Sequence, residues 1–184
     1  VTAPGTGWFC IDEPDIAHRQ KGTAVMTALA GEKIAFIGLG LMGRPMALNL
    51  EKAGAVLTVN TRNPETLNAF EDLGIATAGT PADAAADADI VIICVANTIA
   101  LENVLLGEDG IIDGMEEGTI VIDMGTTAVD ATRRFADAVE EAGGAWIDAP
   151  VSGGTHGAEN GTLSIMVGAD EQDFKRVHRI FEVL

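Results

Sequence analysis

From Lys33 to the C-terminal residues, short apolar runs alternate with longer stretches whose apolar positions recur at helical spacing. Glycine, proline or small polar residues separate the two kinds of segment. Apolar runs bounded by turn residues predict buried strands, and the helically spaced stretches predict helices that cover them. Strands are expected at Lys33–Ile37, Ala55–Asn60, Ile90–Val95, Thr119–Asp123, Ala145–Asp148 and Leu163–Val167. Helices are expected at Pro45–Ala53, Pro64–Asp72, Ile99–Leu105, Ala128–Ala142 and Glu171–Val183, with a short alanine-rich one from Thr80-Pro81 to Asp87. Pro45 is tolerable because it falls in a first turn, where its missing N–H has no intrahelical partner. Strand–helix repetition of this length predicts an α/β fold with a doubly wound, mainly parallel sheet covered on both faces.

No such regularity precedes Gly31. Residues 1–30 are therefore expected to form a poorly ordered N-terminal extension, with Met26 as a natural start, and residues 31–184 a single domain. The alternative for the extension is that Trp8, Phe9 and Cys10 dock on the domain.

Composition narrows the classes of function. The chain is 47% hydrophobic, ample for a packed core, yet no run approaches the roughly 20 apolar residues of a membrane span. The N-terminus lacks the basic start and apolar core of a signal peptide. Cys10 and Cys94 make neither a disulfide framework nor a metal site, so a cytoplasmic location is expected. A formal charge of −17 weighs against nucleic acid and anionic membrane as partners, since both need clustered Lys and Arg.

Two segments carry chemistry. The first, Gly38-Leu39-Gly40-Leu41-Met42-Gly43, fits G-x-G-x-x-G and joins a strand to a helix inside a strand–helix–strand unit. That context identifies a Rossmann-like dinucleotide site. The first glycine permits the tight turn, the second lets the backbone approach a pyrophosphate, and the third lets helix and strand pack closely. The helix N-terminus adds unpaired N–H groups and a partial positive charge. At the end of the second strand NAD sites usually carry Asp or Glu for the ribose 2′-hydroxyl. Here the residues are Asn60, Thr61, Arg62 and Asn63. Thr61 cannot repel a 2′-phosphate and Arg62 can pair with it, so NADP is expected over NAD. The missing acid also argues against an S-adenosylmethionine methyltransferase. Val95, Ala96 and Asn97 follow the next buried strand, and Gly125, Thr126 and Thr127 the one after. Thr126 is the candidate hydroxyl for the nicotinamide ribose, with capping of the following helix as its competing role.

The second segment, Asp148–Ala169, reads DAPVSGGTHGAENGTLSIMVGA. Ser152, Gly153 and Gly154 can present a hydroxyl and backbone N–H groups to a carboxylate. His156 is read as loop surface. Lys175 is read as a solvent-facing residue of the closing helix. Cys94 is read as a small hydrophobe.

Together these segments resemble the β-hydroxyacid dehydrogenase family, which includes 3-hydroxyisobutyrate dehydrogenases and tartronate semialdehyde reductases. The resemblance spans roughly Glu32 to Leu184. It is carried by Phe36 to Ala47 with Asn49-Leu50, by Asp148 to Gly154, and by Gly161 to Gly168. Thr61, Val95 and Ala96 depart from the family's commoner choices, the first of them in a way that bears on cofactor preference. The resemblance implies hydride transfer between NADP(H) and a short 3-hydroxy acid or semialdehyde. It also implies a small carboxylate held by Ser152, Gly153 and Gly154. The family's acid–base lysine lies in a G-x-x-x-K-x-x-x-N segment that would follow Leu184, so no catalytic residue is assigned within this chain. The family's all-helical C-terminal domain, which completes the cleft and mediates homo-oligomerisation, is likewise expected to be absent. The 184 residues alone are expected to bind cofactor and be nearly inactive. A non-catalytic dinucleotide-binding module and an imine reductase relative are the alternatives.

Overall fold

The computed structural model describes residues 6–11 and 28–184. Their strands form a single sheet whose centre is parallel. In chain order these are β1 (Thr6–Ile11), β2 (Lys33–Ile37), β3 (Val56–Asn60), β4 (Ala76–Thr77), β5 (Ile90–Ile93), β6 (Ile120–Asp123), β7 (Ala145–Asp148), β8 (Val151–Ser152) and β9 (Ser164–Asp170). They lie side by side as β1-β9-β7-β6-β5-β2-β3-β4, with β8 also paired to β9. All pairs from β7 to β4 are parallel, whereas β9 runs antiparallel to β1, β7 and β8. The order reverses at β2, which has β3 on one side and β5 on the other. A crevice outside the C-terminal ends of the strands at such a reversal is where open α/β sheets bind ligands.

The helices are α1 (Gly43–Lys52), α2 (Pro64–Glu71), α3 (Pro81–Ala85), α4 (Thr98–Leu106), α5 (Ile111–Gly114), α6 (Val129–Glu141), α7 (Gly154–Asn160) and α8 (Glu171–Phe181). They cover both faces, as the nearly uninterrupted apolar character of the central strands requires. Alternate residues of those strands feed two cores. Phe36, Ile92, Ile122 and Ile147 pack with Met46, Leu50 and Phe181 on one face. Ala35, Ile37, Val91, Ile93 and Val121 pack with Leu101, Leu105 and Phe135 on the other.

The expected parallel arrangement is correct for the centre of the sheet, and the expected strands and helices are present within a few residues. Four short elements, β4, α5, β8 and α7, are additions. The N-terminal segment needs a partial correction. Thr6–Ile11 pairs with β9 along its whole length. Phe9 stacks on Phe174 with ring centroids 4.0 Å apart, and Trp8 lies over Gly168. For these residues the docking alternative holds, because Phe9 finds an aromatic partner on α8. Leu29 is also ordered and buried, and its N–H donates to Ala53 O at 3.0 Å. The remaining expectations for residues 1–5 and 12–27, including Met26 as a start, lie outside the described residues. Among the described residues no helix is long and apolar enough to cross a membrane.

Candidate functional site

The glycine turn has three glycines with three different physical reasons. Gly38 has φ +99°, and a Cβ there would strike the carbonyl oxygen of Cys94. A Cβ on Gly43 would strike the carbonyl oxygen of Gly38 and come within 3.0 Å of Phe36 Cε1. These two glycines are required by the fold. Gly40 is exposed, and a Cβ there would meet nothing within 4 Å. Its bare backbone therefore serves no neighbour in the chain. It is what a ligand approaching the main chain needs. No side chain caps α1, whose Arg44 N–H donates to Gly40 O at 3.1 Å within the turn itself.

A cleft of about 260 Å³ lies at the sheet's reversal. Its walls include Gly38, Leu39 and Gly40 after β2, Thr61 and Arg62 after β3, and Val95 and Ala96 after β5. Seven of the residues expected at a cofactor site thus meet in one cavity. Leu41, Met42, Gly43, Asn63 and Thr126 do not line it. Met42 and Gly43 instead form the N-terminus of α1, and Leu41 is exposed on the turn. Asn63 is engaged elsewhere: its Oδ1 caps α2, accepting from Glu65 N–H at 3.0 Å. Among the wall residues that were not anticipated are Ala100, Asn103 and Val104 of α4. No motif marks them, and only the packing of α4 beside β5 brings them to the cleft. Asn60 at the end of β3 is buried and donates through Nδ2 to Ala78 O at 3.0 Å, which ties the ends of β3 and β4 together beside Thr61 and Arg62.

After β6, Asp123 organises the turn to α6. It is fully buried, and its carboxylate accepts from Gly125 N–H at 2.9 Å and from Thr127 Oγ1 at 2.6 Å. Thr126 between them is exposed. It does not cap α6, whose N-cap is Ala128. The capping role is therefore not what Thr126 does, and it stands exposed in the turn that follows the C-terminal end of β6.

The Ser-Gly-Gly segment closes β8 and begins α7. Ser152, Gly153 and Gly154 are all exposed, with φ +133° at Gly153 and +61° at Gly154. These values lie in the region that glycine tolerates and other residues avoid. His156 is exposed, but on α7 rather than on a loop. The two motifs are joined directly: Asn49 of α1 donates through Nδ2 to Ala158 O of α7 at 2.8 Å. The helix that starts at the glycine turn thus also fixes the helix that starts at Gly154.

Three titratable groups gather where β5, β6 and β7 end. Burial, reinforced by the charge of Asp123, pushes the Cys94 thiol up to about 11, so it stays neutral as its reading as a small hydrophobe requires. Burial raises Asp123, against the opposing hydrogen bonds from Thr127 and Gly125. Burial, with the neighbouring charge of Asp123, raises Asp148 to about 6. A carboxyl raised above its unfolded value of about 3.9 holds its proton more tightly in the folded protein, so its ionisation costs stability as pH rises toward 6 and beyond. Asp148→Asn is therefore expected to stabilise the chain at pH 8 and to make little difference at pH 4. Because Asp148 is only half-buried, the gain is of the order of 1 kcal/mol. Thermal melts of the two proteins across this range check it. Equal differences at both pH values would contradict it.

Residues 33–184 match the family described as the NAD binding domain of 6-phosphogluconate dehydrogenase. The chain is 45% identical over 152 residues to the 2-hydroxy-3-oxopropionate reductase of Escherichia coli strain K12, covering 83% of this chain and 52% of that protein. It is 35% identical over 164 residues to a probable mitochondrial 3-hydroxyisobutyrate dehydrogenase of Dictyostelium discoideum, covering 89% and 51%. Among solved structures, the 3-hydroxyisobutyrate dehydrogenase of Mycobacterium tuberculosis, determined with L-serine, superposes with a TM-score of 0.77 at 33% identity, covering 83% and 51%. The chain spans about half the length of the curated relatives it matches.

Proposed function

Because the chain belongs to the β-hydroxyacid dehydrogenase family, as its nicotinamide-dinucleotide-binding domain, we propose that it binds NADP(H) for the oxidation of a short 3-hydroxy acid or the reduction of the matching semialdehyde. The observation that carries this reading is the cleft at the sheet's reversal, walled by Gly38–Gly40, Thr61-Arg62 and Val95-Ala96, with the neighbourless backbone of Gly40 at its lip.

The residues present fit such a cofactor. The glycine turn and the uncapped start of α1 hold the pyrophosphate. Thr126 hydrogen-bonds the ribose on the nicotinamide side. Ser152 donates to the substrate carboxylate, and the N–H groups of Gly153 and Gly154 complete its cradle. When bound, the cofactor supplies or accepts the hydride. In the whole protein the hydroxyl proton is handled by a lysine outside these 184 residues, and the assembly and full substrate pocket belong to that whole protein.

Preference for NADP(H) rests on the end of β3. No acid stands there to accept from a 2′-hydroxyl, and exposed Arg62 lines the cleft where a 2′-phosphate would lie. Titration by nicotinamide fluorescence is expected to give at least about tenfold tighter binding of NADPH than of NADH, the worth of one charge-assisted contact. Arg62→Ala is expected to remove most of that difference and leave NADH binding nearly unchanged. A preference for NADH in the unmodified chain would overturn the assignment.

A further inference from the structure

Asp123 and Asp148 are register partners on the adjacent parallel strands β6 and β7. Residues paired in this way sit about 4.8 Å apart and point to the same face of the sheet. Val121 and Trp146, two residues earlier on the same strands, point into the core under α6, so the two carboxyls lie on that face, at the C-terminal ends of the strands. Like charges placed opposite one another across strands repel, and a pair of one buried and one half-buried carboxyl responds by retaining a proton.

Among the described residues no cation is paired with either carboxyl. Asp123 is held by Gly125 N–H and Thr127 Oγ1, both neutral. α6 faces the strands with Ala131, Phe135 and Val139, and α4 with Leu101 and Leu105. β9 places Gly168 beside Asp148. Cys94, from the end of β5, adds only a neutral thiol. Two acids facing a low-dielectric layer, with no cation paired to them among the described residues, are poor structural elements. They are also electrostatically conspicuous to anything bound above the ends of β5 and β6.

On the cofactor reading above, which gives Thr126 to the nicotinamide ribose, the nicotinamide end extends over those strand ends. Its oxidised and reduced ring differ by one positive charge. We infer that Asp123 and Asp148 act as one acid pair that sets how strongly the site prefers the oxidised cofactor over the reduced one, and that makes this preference pH-dependent. The inference rests on the cofactor reading above. With both carboxylates ionised, the positive ring is favoured. With Asp148 protonated beside the Asp123 charge, part of that advantage is lost. Asp123 also positions Thr126 through its hydrogen bonds to the residues on either side, so the same pair governs the loop that meets the ribose. Burial that holds Asp148 to about 6 puts the change within a physiological pH range.

The test is the ratio of the dissociation constants for NADPH and NADP+, measured by fluorescence and calorimetry from pH 5 to pH 8.5. The ratio is expected to move toward the oxidised form by about threefold to tenfold as pH rises through 6, the worth of one partly screened charge. Asp148→Asn is expected to flatten the dependence. Independently, carbon-13 carboxyl titration of the unliganded chain is expected to show two coupled carboxyls, one with its midpoint near 6. Tight binding with a ratio that does not change with pH overturns the pair's role and leaves the cofactor reading standing. Failure of either form, and of adenosine 2′,5′-bisphosphate, to bind at any pH overturns the cofactor reading and the inference with it. Carboxyls that titrate independently in the ordinary range overturn the pair itself, whatever the cofactor does.

Discussion

Gly40→Ala is expected to weaken NADPH binding at least about 30-fold while moving the melting temperature by no more than about 2 °C. A methyl group at this exposed position meets no atom of the chain within 4 Å, and the backbone is not in the left-handed region, so folding has no reason to object. The methyl instead occupies the space where the pyrophosphate meets the main chain. Losing about 2 kcal/mol of charge-assisted hydrogen bonding corresponds to the stated factor. Gly43→Ala is expected to do the reverse. Its methyl would overlap the Gly38 carbonyl oxygen and crowd Phe36, and both belong to the buried junction of β2 and α1. Overpacking of this kind costs about 1–3 kcal/mol, or a drop of about 3–10 °C in a domain of this size. Melts and NADPH titrations of both variants check the pair. Unaltered NADPH affinity in Gly40→Ala would place the pyrophosphate elsewhere, and an unaltered melt in Gly43→Ala would remove the packing argument.

This separation of roles was only half legible in the sequence. The spacing of glycines 38, 40 and 43 between an apolar run and a helix announces the turn, since few other sequences make that junction. Which glycine serves the fold and which serves the ligand needs the neighbours of each missing Cβ. The central strands were legible for a similar reason: Ile90–Ile93 and Ile120–Asp123 are buried on both faces, so composition alone marks them. β8 and α7 were not, because two and seven residues are too short to establish a period. The reversed direction of β9 was hidden too, as strand direction depends on how the intervening Ser-Gly-Gly segment turns. Contacts between distant segments leave no local mark at all. Asn49 and Ala158 are 109 residues apart, and the register of Asp123 with Asp148 exists only once β6 and β7 pair. The acid pair therefore looked like two ordinary strand ends. The reading of Arg62 rests on a local mark, since it stands where an acid is usual, and the fold brings it to the cleft wall.

The 184-residue polypeptide is expected to bind NADPH yet turn over short 3-hydroxy acids and semialdehydes about 10²–10⁴-fold more slowly than a full-length relative such as the E. coli 2-hydroxy-3-oxopropionate reductase. That range is what general acid–base help contributes. The lysines of the described residues are all badly placed to supply it. Lys33 opens β2 and Lys52 ends α1, both at the end of the strands opposite the cleft. Lys175 lies exposed on α8, paired with Glu171 at 2.6 Å. The groups nearer to Ser152 are His156, exposed one turn into α7, and Asp148, whose burial keeps it partly protonated near pH 6. Neither belongs to a G-x-x-x-K-x-x-x-N segment, and no such segment occurs within these residues. Steady-state assays with NADPH and a panel of semialdehydes, run beside the E. coli enzyme, measure the deficit. Turnover within about tenfold of that enzyme would refute the reading that the proton-handling group lies outside this polypeptide. If His156→Ala then abolished the activity while leaving NADPH binding intact, the acid would be His156, and Ser152, Gly153 and Gly154 would belong to a complete site rather than to half of one.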